Sequence, residues 1–260
     1  MSGGWNDPGV AAAYAETFAP LCAGVHPAVL AALGDVAGRR VLDAGAGTGT
    51  LTHRLAAADA QVVAVEPDPA MRALADASLG LVEGALPALP LSDDAVDAAA
   101  SVFVVNHLDD PRAAVADLTR VTRSGGRVVV TIWPSGANVQ GRLWEQVLAE
   151  AGAVRPPGVR LPADRDFSRT VEGLADLLAG AGLVDVRARE VAWTHACPPD
   201  TLWRGAAGGV GGIGVTLRAQ TPEVQQAMRA AHDRHVADLL VDGTLRLETS
   251  AVLAVGVVAG

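Results

Sequence analysis

Three glycines, Gly45, Gly47 and Gly49, follow an apolar run at Val41 and Leu42 and precede a helical pattern that resumes at Leu51. Glycine has no Cβ to block a ligand or forbid positive φ, so this spacing predicts a turn where a ligand meets bare backbone. A second apolar run, 61–65, ends at Glu66. A carboxylate there can accept hydrogen bonds from both hydroxyls of a ribose, which predicts a site for a nucleotide-type ligand. Capping of the helix that follows is the other reading of Glu66. The turn lacks the Gly-x-Gly-x-x-Gly spacing of a pyrophosphate cradle, because its third glycine comes one residue early and Thr50 follows. Asp43, just inside the turn, would repel a phosphate and attract an ammonium, directly or through water; an Asx carboxylate holding the turn is the alternative reading.

The elements that must position these residues alternate regularly. Apolar spacing predicts helices over 8–18 and 27–33, each opened by a proline, then strands at 40–44, 61–65, 81–82, 96–105 and 127–133, with helices from 51, 69 and 111 between them. Strands this continuously apolar are buried on both faces, so a parallel sheet sandwiched by helices is expected, with ligands at its carboxyl ends. Beyond it, 134–169 mixes Pro, Gly and Arg around a helix at 139–151 and reads as an insertion folding over the site. Further elements are a helix at 170–181, a strand at 184–197, a glycine-rich and weakly determined stretch at 202–218, a helix at 222–241 and a closing strand at 245–258.

Composition removes several chemistries. The 20 basic residues are all arginine, so no Schiff-base amine and no phosphate-reading P-loop lysine is available. The single tyrosine, Tyr14, has no lysine to share a proton relay with. A formal charge of −9 argues against nucleic acid as a partner. Cys22 and Cys197 offer neither a disulfide framework nor a metal knuckle. No basic start with an apolar block opens the chain, and no run of 18 apolar residues spans a membrane, so a cytoplasmic protein is expected.

Four segments, in order, resemble the class I S-adenosylmethionine-dependent methyltransferases, in the small-molecule group similar to ubiquinone and menaquinone biosynthesis enzymes. They are Val41-Leu42-Asp43-Ala44-Gly45-Ala46-Gly47-Thr48-Gly49, the run from Val65 to Met71, the run from Leu89 to Asp97, and Ser124-Gly125-Gly126-Arg127-Val128-Val129-Val130. The resemblance implies an α/β, Rossmann-like, doubly wound seven-stranded sheet whose last strand is antiparallel, in one domain over 1–260. An N-terminal helical cap (1–38) and lid segments (134–169 and 198–244) complete it. It also implies that S-adenosylmethionine contacts Asp43, Gly45, Ala46, Gly47, Glu66 and Pro67. Ala85 and Leu86 fall at the adenine position, where Ala85 replaces the family's Asp or Thr and leaves only backbone and apolar recognition. Ser101 and Val102 fall at the methionine arm, with plain strand core as the other reading of Val102. Tyr14 falls where a family tyrosine closes over the cofactor, or it is a core aromatic.

Methyl transfer needs alignment in a water-poor pocket more than a catalytic triad. A hydroxyl or acidic carbon acceptor gains from a base, for which His107 in Asn106-His107-Leu108-Asp109-Asp110 is the candidate; a loop histidine bonded to Asp109 or Asp110 is the alternative. Asn106 is a weaker candidate for orienting the acceptor. His232 and His235 read as a solvated helix face rather than metal ligands, and His195 as strand packing. Trp133, Trp144, Trp193 and Trp203 fall where the lid is expected and suggest a small apolar or aromatic acceptor, O- or C-methylated. The sequence leaves open a cofactor-binding protein without transfer and an NAD(P)-dependent oxidoreductase. It leaves the oligomeric state open as well.

Overall fold

A computed structural model describes residues 7–136, 138–158 and 161–260. Its sheet contains β1 (Arg40–Ala44), β2 (Gln61–Val65), β3 (Val96–Val102), β4 (Thr122–Ile132), β5 (Leu183–Cys197), β6 (Leu240–Val241) and β7 (Thr244–Val258). The order is β2-β1-β3-β4-β7-β5, with β6 paired to β7 as a short hairpin. β7 runs antiparallel to both β4 and β5, while β1 to β4 are mutually parallel where they pair. The seven-stranded sheet with an antiparallel last strand is therefore as expected.

Alternation along these strands feeds two separate cores. Leu42, Ala44, Ala99, Val128, Val130, Val252 and Ala254 face one side, against α5 (Pro111–Val121) and α7 (Val171–Gly180). Val41, Ala98, Ala100, Val129, Ala251 and Leu253 face the other, against α2 (His26–Leu33) and α3 (Thr50–Ala56). α5 starts where Asp110 accepts the Ala113 N–H at 2.9 Å and Pro111 takes the first turn. It buries Ala114, Val115, Leu118 and Val121 along one stripe. Truncating one such leucine to alanine costs about 2–5 kcal/mol.

A third core lies beyond the sheet's end, formed by α6 (Val139–Ala151), α8 (Thr201–Ala207), α9 (Gly211–Arg218) and α10 (Pro222–Ala237) against Cys197, Leu245 and Leu247. The glycine-rich stretch is thus two helices. Its glycines serve close packing: a Cβ on Gly205 would lie 2.7 Å from Phe18 Cε2, and one on Gly208 2.2 Å from Ala13 Cβ, both on α1 (Pro8–Cys22).

Other boundaries move. The strand expected at 81–82 is a single parallel bridge between Val65 and Val82, because exposed Val82 has no further neighbours to pair with. β3 stops at Val102, since Phe103 turns into the left-handed region at φ 59°. α10 ends at Ala237, where the chain enters the β6–β7 hairpin. The helical cap is present as α1 and α2, with residues 1–6 outside the described residues. Pro8–Leu33 is long and apolar enough to cross a membrane by length and composition, and 44% of its most apolar window is buried in the protein.

Candidate functional site

β1 delivers its turn to the carboxyl edge of the sheet, where Gly45 and Ala46 donate their N–H groups to the Val65 carbonyl at 2.8 and 3.0 Å. Gly45, Gly47 and Gly49 all take positive φ (79°, 57° and 81°). A Cβ on Gly45 would lie 2.3 Å from Val104 Cγ2, so that glycine is required by the protein itself; at Gly47 nothing lies within 4 Å, and the open side faces outward. The Gly47 N–H donates to Glu66 Oε2 at 2.8 Å, and the Asp68 N–H donates to Glu66 Oε1 at 2.9 Å. Both carboxylate oxygens are aimed by backbone while each keeps a lone pair for a ligand.

Capping of α4 (Pro69–Leu74) falls to Asp68, which accepts from the Ala70 and Met71 N–H groups at 2.8 and 3.1 Å. Glu66 is thereby freed from the capping role. Burial pushes its pKa up, opposed by the hydrogen bonds from Asp68 and Gly47. Arg72, on α4, donates through Nη1 to the Glu66 and Pro67 carbonyls at 2.7 and 2.8 Å and through Nη2 to Glu83 at 2.8 Å.

Asp43 is buried and accepts the Thr52 hydroxyl proton at 2.7 Å, so α3 rather than the turn backbone holds it. Burial pushes its pKa up to about 6; the Thr52 hydrogen bond opposes this and the Glu66 charge adds to it. Two carboxylates thus share the turn. Tyr14 comes over them from α1: burial, the Cys22 thiol and the charges of Glu66 and Asp43 together hold its phenol well above its ordinary range.

The remaining expected residues are brought together unevenly. Ala85 is exposed beside the turn that Ala88 closes through its N–H to the Ala85 carbonyl at 2.8 Å. The Leu86 side chain is buried in the sheet core, so only its backbone is presented. Alternation puts half-buried Val102 on the same sheet face as Asp43 and Ser101 on the opposite one, where its buried hydroxyl has no partner among the described residues. His107 closes the 3-10 turn Val105–His107 with an exposed side chain whose pKa partial desolvation lowers. Asn106 is engaged elsewhere: its Oδ1 accepts the Trp133 N–H at 3.2 Å and its Nδ2 donates to the Trp133 carbonyl at 3.4 Å.

That clamp belongs to an aromatic wall whose tryptophans the sequence singled out but whose Phe103 and stacking it did not reveal. Phe103 and Trp133 stack with ring centroids 3.9 Å apart, and Trp193 lies 6.2 Å beyond. The Trp193 indole N–H donates to the Leu21 carbonyl at 3.1 Å, fixing the end of α1. On the far side of Trp133 is a cavity of about 270 Å³ walled by Phe18, Leu21, Trp133, Trp144 and Ile213. The Glu145–Arg155 ion pair, 2.5 Å, sits on its lining with both side chains partly exposed. Val104 packs against the glycine turn and the adjacent Phe103 stacks on Trp133, so consecutive residues link the turn to the cavity wall.

Two tryptophans and a histidine lie deeper in the third core. His232 is buried, its ring 5.4 Å from Trp144 and 5.5 Å from Trp203, so it is not the solvated residue its helical spacing suggested. His235 pairs with Glu150 at 2.9 Å. His195 is half-buried on the Trp193 face of β5. Cys22 and Cys197 are free and buried, and burial raises the pKa of each, which keeps them as thiols. Thr52, Asp68, Arg72 and Phe103 are the structurally engaged residues that pattern reading missed. Asp68 before Pro69 carries a visible cap signal, but nothing local announces the others.

The chain matches the methyltransferase domain family over residues 42–130. It is 31% identical over 178 residues to an uncharacterized methyltransferase of Geobacillus thermodenitrificans, covering 65% of this chain and 80% of that protein. It is 42% identical over 122 residues to one from Mycobacterium ulcerans, covering 43% of this chain and 48% of the relative, so that match spans about half the relative's length. Its fold is similar to that of a SAM-dependent methyltransferase from Thermotoga maritima, with TM-score 0.52, 18% identity, and coverage of 95% of this chain and 91% of that one. With the glycine turn, the anchored Glu66 and the sheet order in place, the chain belongs to the methyltransferase family.

Proposed function

We propose that the protein transfers a methyl group from S-adenosylmethionine to a small, predominantly apolar acceptor held in the cavity beside Trp133, at an oxygen or carbon atom. The observation that carries the choice of cofactor is the pair of carboxylates at the turn. Asp43 and Glu66 are both nearly buried and feel one another's charge, an environment hostile to a pyrophosphate and suited to a cation. The Gly47 N–H, which a phosphate would require, is already spent on Glu66. The fit is supported by the open side of Gly47 and by the remaining lone pairs of Glu66.

S-adenosylmethionine, when bound, supplies an activated methyl whose leaving group is a neutral thioether. In this reading Glu66 accepts from the ribose hydroxyls and the Gly45, Ala46 and Gly47 backbone lies along the adenosine, with Pro67 beside it. Asp43 attracts the methionine ammonium, Tyr14 covers it, and Val102 borders the arm, with Ser101 contributing only its backbone. The Ala85 and Leu86 backbone meets the adenine. The aromatic wall keeps water out and holds a flat acceptor; His107 takes the acceptor's proton as it is methylated. A neutral imidazole is required for that, and because its pKa lies below the ordinary value, the base is ready at neutral pH. Residues 134–169 and 198–244 serve as the lid of this single domain. Cytoplasmic residence fits the partial burial of the apolar stretch 8–33 within the protein.

Thermal melts test the cofactor. S-adenosylmethionine and S-adenosylhomocysteine should each raise the Tm, by about 2.7 kcal/mol of added stability at a hundred times Kd, while NAD does nothing. A response to NAD with none to S-adenosylhomocysteine overturns the reading. Mass spectrometry of a panel of phenols, quinols and acidic-carbon compounds then tests transfer by the gain of one methylene unit. Tight S-adenosylhomocysteine binding with no methylated product on any class would favour the binding-only alternative.

A further inference from the structure

Arg72 has no place in the contacts the family resemblance implies, yet it touches the segment that carries Glu66 more closely than any other side chain in the loop. Its Nη1 reaches the Glu66 and Pro67 carbonyls at 2.7 and 2.8 Å and its Nη2 reaches Glu83 at 2.8 Å, with the Arg72 side chain only 19% exposed. We infer that Arg72 is a positioning residue for the ribose-binding carboxylate, fixing the Glu66–Pro67 backbone so that the Glu66 side chain stays aimed at the glycine turn. The inference rests on the proposed role of Glu66.

The geometry leaves little alternative support for this bend. The side-chain oxygens of Glu66 are aimed by two N–H groups that come from opposite sides, Gly47 across the crevice and Asp68 two residues on. The main-chain N–H of Glu66 is held by the Val82 carbonyl at 3.0 Å, within a strand reduced to one bridge. The two carbonyls that leave the bend would otherwise be unpaired, and a planar guanidinium can bind both while facing a carboxylate, which an ammonium cannot do in one geometry.

Charge adds a second effect. The groups around Glu66 are Asp43 on β1, Tyr14 on α1, Asp68 at the start of α4, and Arg72 with its partner Glu83. Arg72 is the cation among them, and its field favours ionised Glu66. Affinity for the cofactor product should therefore fall as pH drops through the Glu66 titration, and the position of that fall should depend on Arg72.

Titration calorimetry with S-adenosylhomocysteine across the acid range, on wild type, R72M, R72K and E83Q, tests this. R72M should weaken binding about tenfold at neutral pH, the loss expected of a charge-assisted hydrogen bond. Its acid limb should move to higher pH, because Glu66 loses its favourable neighbour. R72K should restore the limb but only part of the affinity. E83Q, which removes the competing carboxylate and leaves the guanidinium, should move the limb the opposite way. A merely structural arginine would give weakened binding with unmoved limbs, and that result, or unchanged binding in R72M, overturns the inference. Should R72M fail to fold, R72K and E83Q decide it: a wild-type limb in R72K with a limb at lower pH in E83Q supports the inference, and an unmoved limb in E83Q overturns it. A wild type blind to S-adenosylhomocysteine refutes the proposed cofactor and this inference together; a wild type that binds it with variants that match refutes this inference alone.

Discussion

At the ends of β1 and β2 the groups presented are main-chain amides and two carboxylates held by main-chain amides or a hydroxyl. Beyond β4 they are ring faces: Phe103 on Trp133, Trp193 behind them, Trp144 across the cavity. Backbone geometry tolerates many side-chain changes as long as the turn persists, whereas a wall of rings changes shape with each substitution. On the proposed reading the first region holds the cofactor and the second the acceptor, and the two should respond independently to mutation.

The largest expected effect breaks the first region alone. Glu66→Ala removes two charge-assisted hydrogen bonds, worth about 1.5–3 kcal/mol each, and should weaken S-adenosylhomocysteine by roughly a hundredfold or more while acceptor affinity stays within twofold. Calorimetry reads both. A loss shared by the two ligands would erase the division.

Asp43→Asn comes next, with opposite effects on stability and binding. Burial raises Asp43 to about 6 from its ordinary 3.8, so the folded state takes up a proton that the unfolded state does not across that interval. The apo-protein is therefore penalised above pH 6, and the penalty fades as pH falls toward 4. The variant should be more stable than wild type at pH 8 by on the order of 1–3 kcal/mol, with the gap closing at acid pH, yet should bind S-adenosylmethionine more weakly. Urea melts at several pH values check the sign.

Trp133→Ala addresses the second region, and should lower kcat/KM for the acceptor roughly tenfold with the cofactor Kd unchanged. Asn106→Ala is the finest test. Losing its reciprocal pair with the Trp133 backbone, at about 0.5–1.5 kcal/mol of stability per neutral hydrogen bond, should raise acceptor KM severalfold and lower stability by about 1–3 kcal/mol, with the cofactor Kd unchanged.

The contrast also explains what could be read from the chain beforehand. The glycine turn and Glu66 are local: three glycines and a strand-ending carboxylate lie within a short segment and carry their geometry with them. So are the proline-opened helices and the antiparallel last strand once the family resemblance is recognised. The aromatic wall assembles Phe103 and Trp133, just past the ends of β3 and β4, with Trp193 of β5, and no spacing encodes a stack between residues so distant. Phe103 gave no sign of its positive φ, since phenylalanine does not favour it. Gly205 and Gly208 misled for a related reason: glycine marks a turn or a close approach, and only the partner helix shows which. His232 followed a surface pattern and is buried because α6 and α8 close over it with Trp144 and Trp203.

The position of β7 has consequences for how the molecule comes into being. It is the last strand in chain order, yet it lies between β4 and β5, and β5 touches the rest of the sheet through it alone. During synthesis, the fifteen residues of β5 emerge before the strand they pair with. They must wait, with their ladder groups unmatched, until residues 244–258 clear the ribosome. The glycine turn, complete by β3, can settle long before then, so vectorial folding should yield a nascent chain whose first half is native while its far sheet edge still invites misassociation.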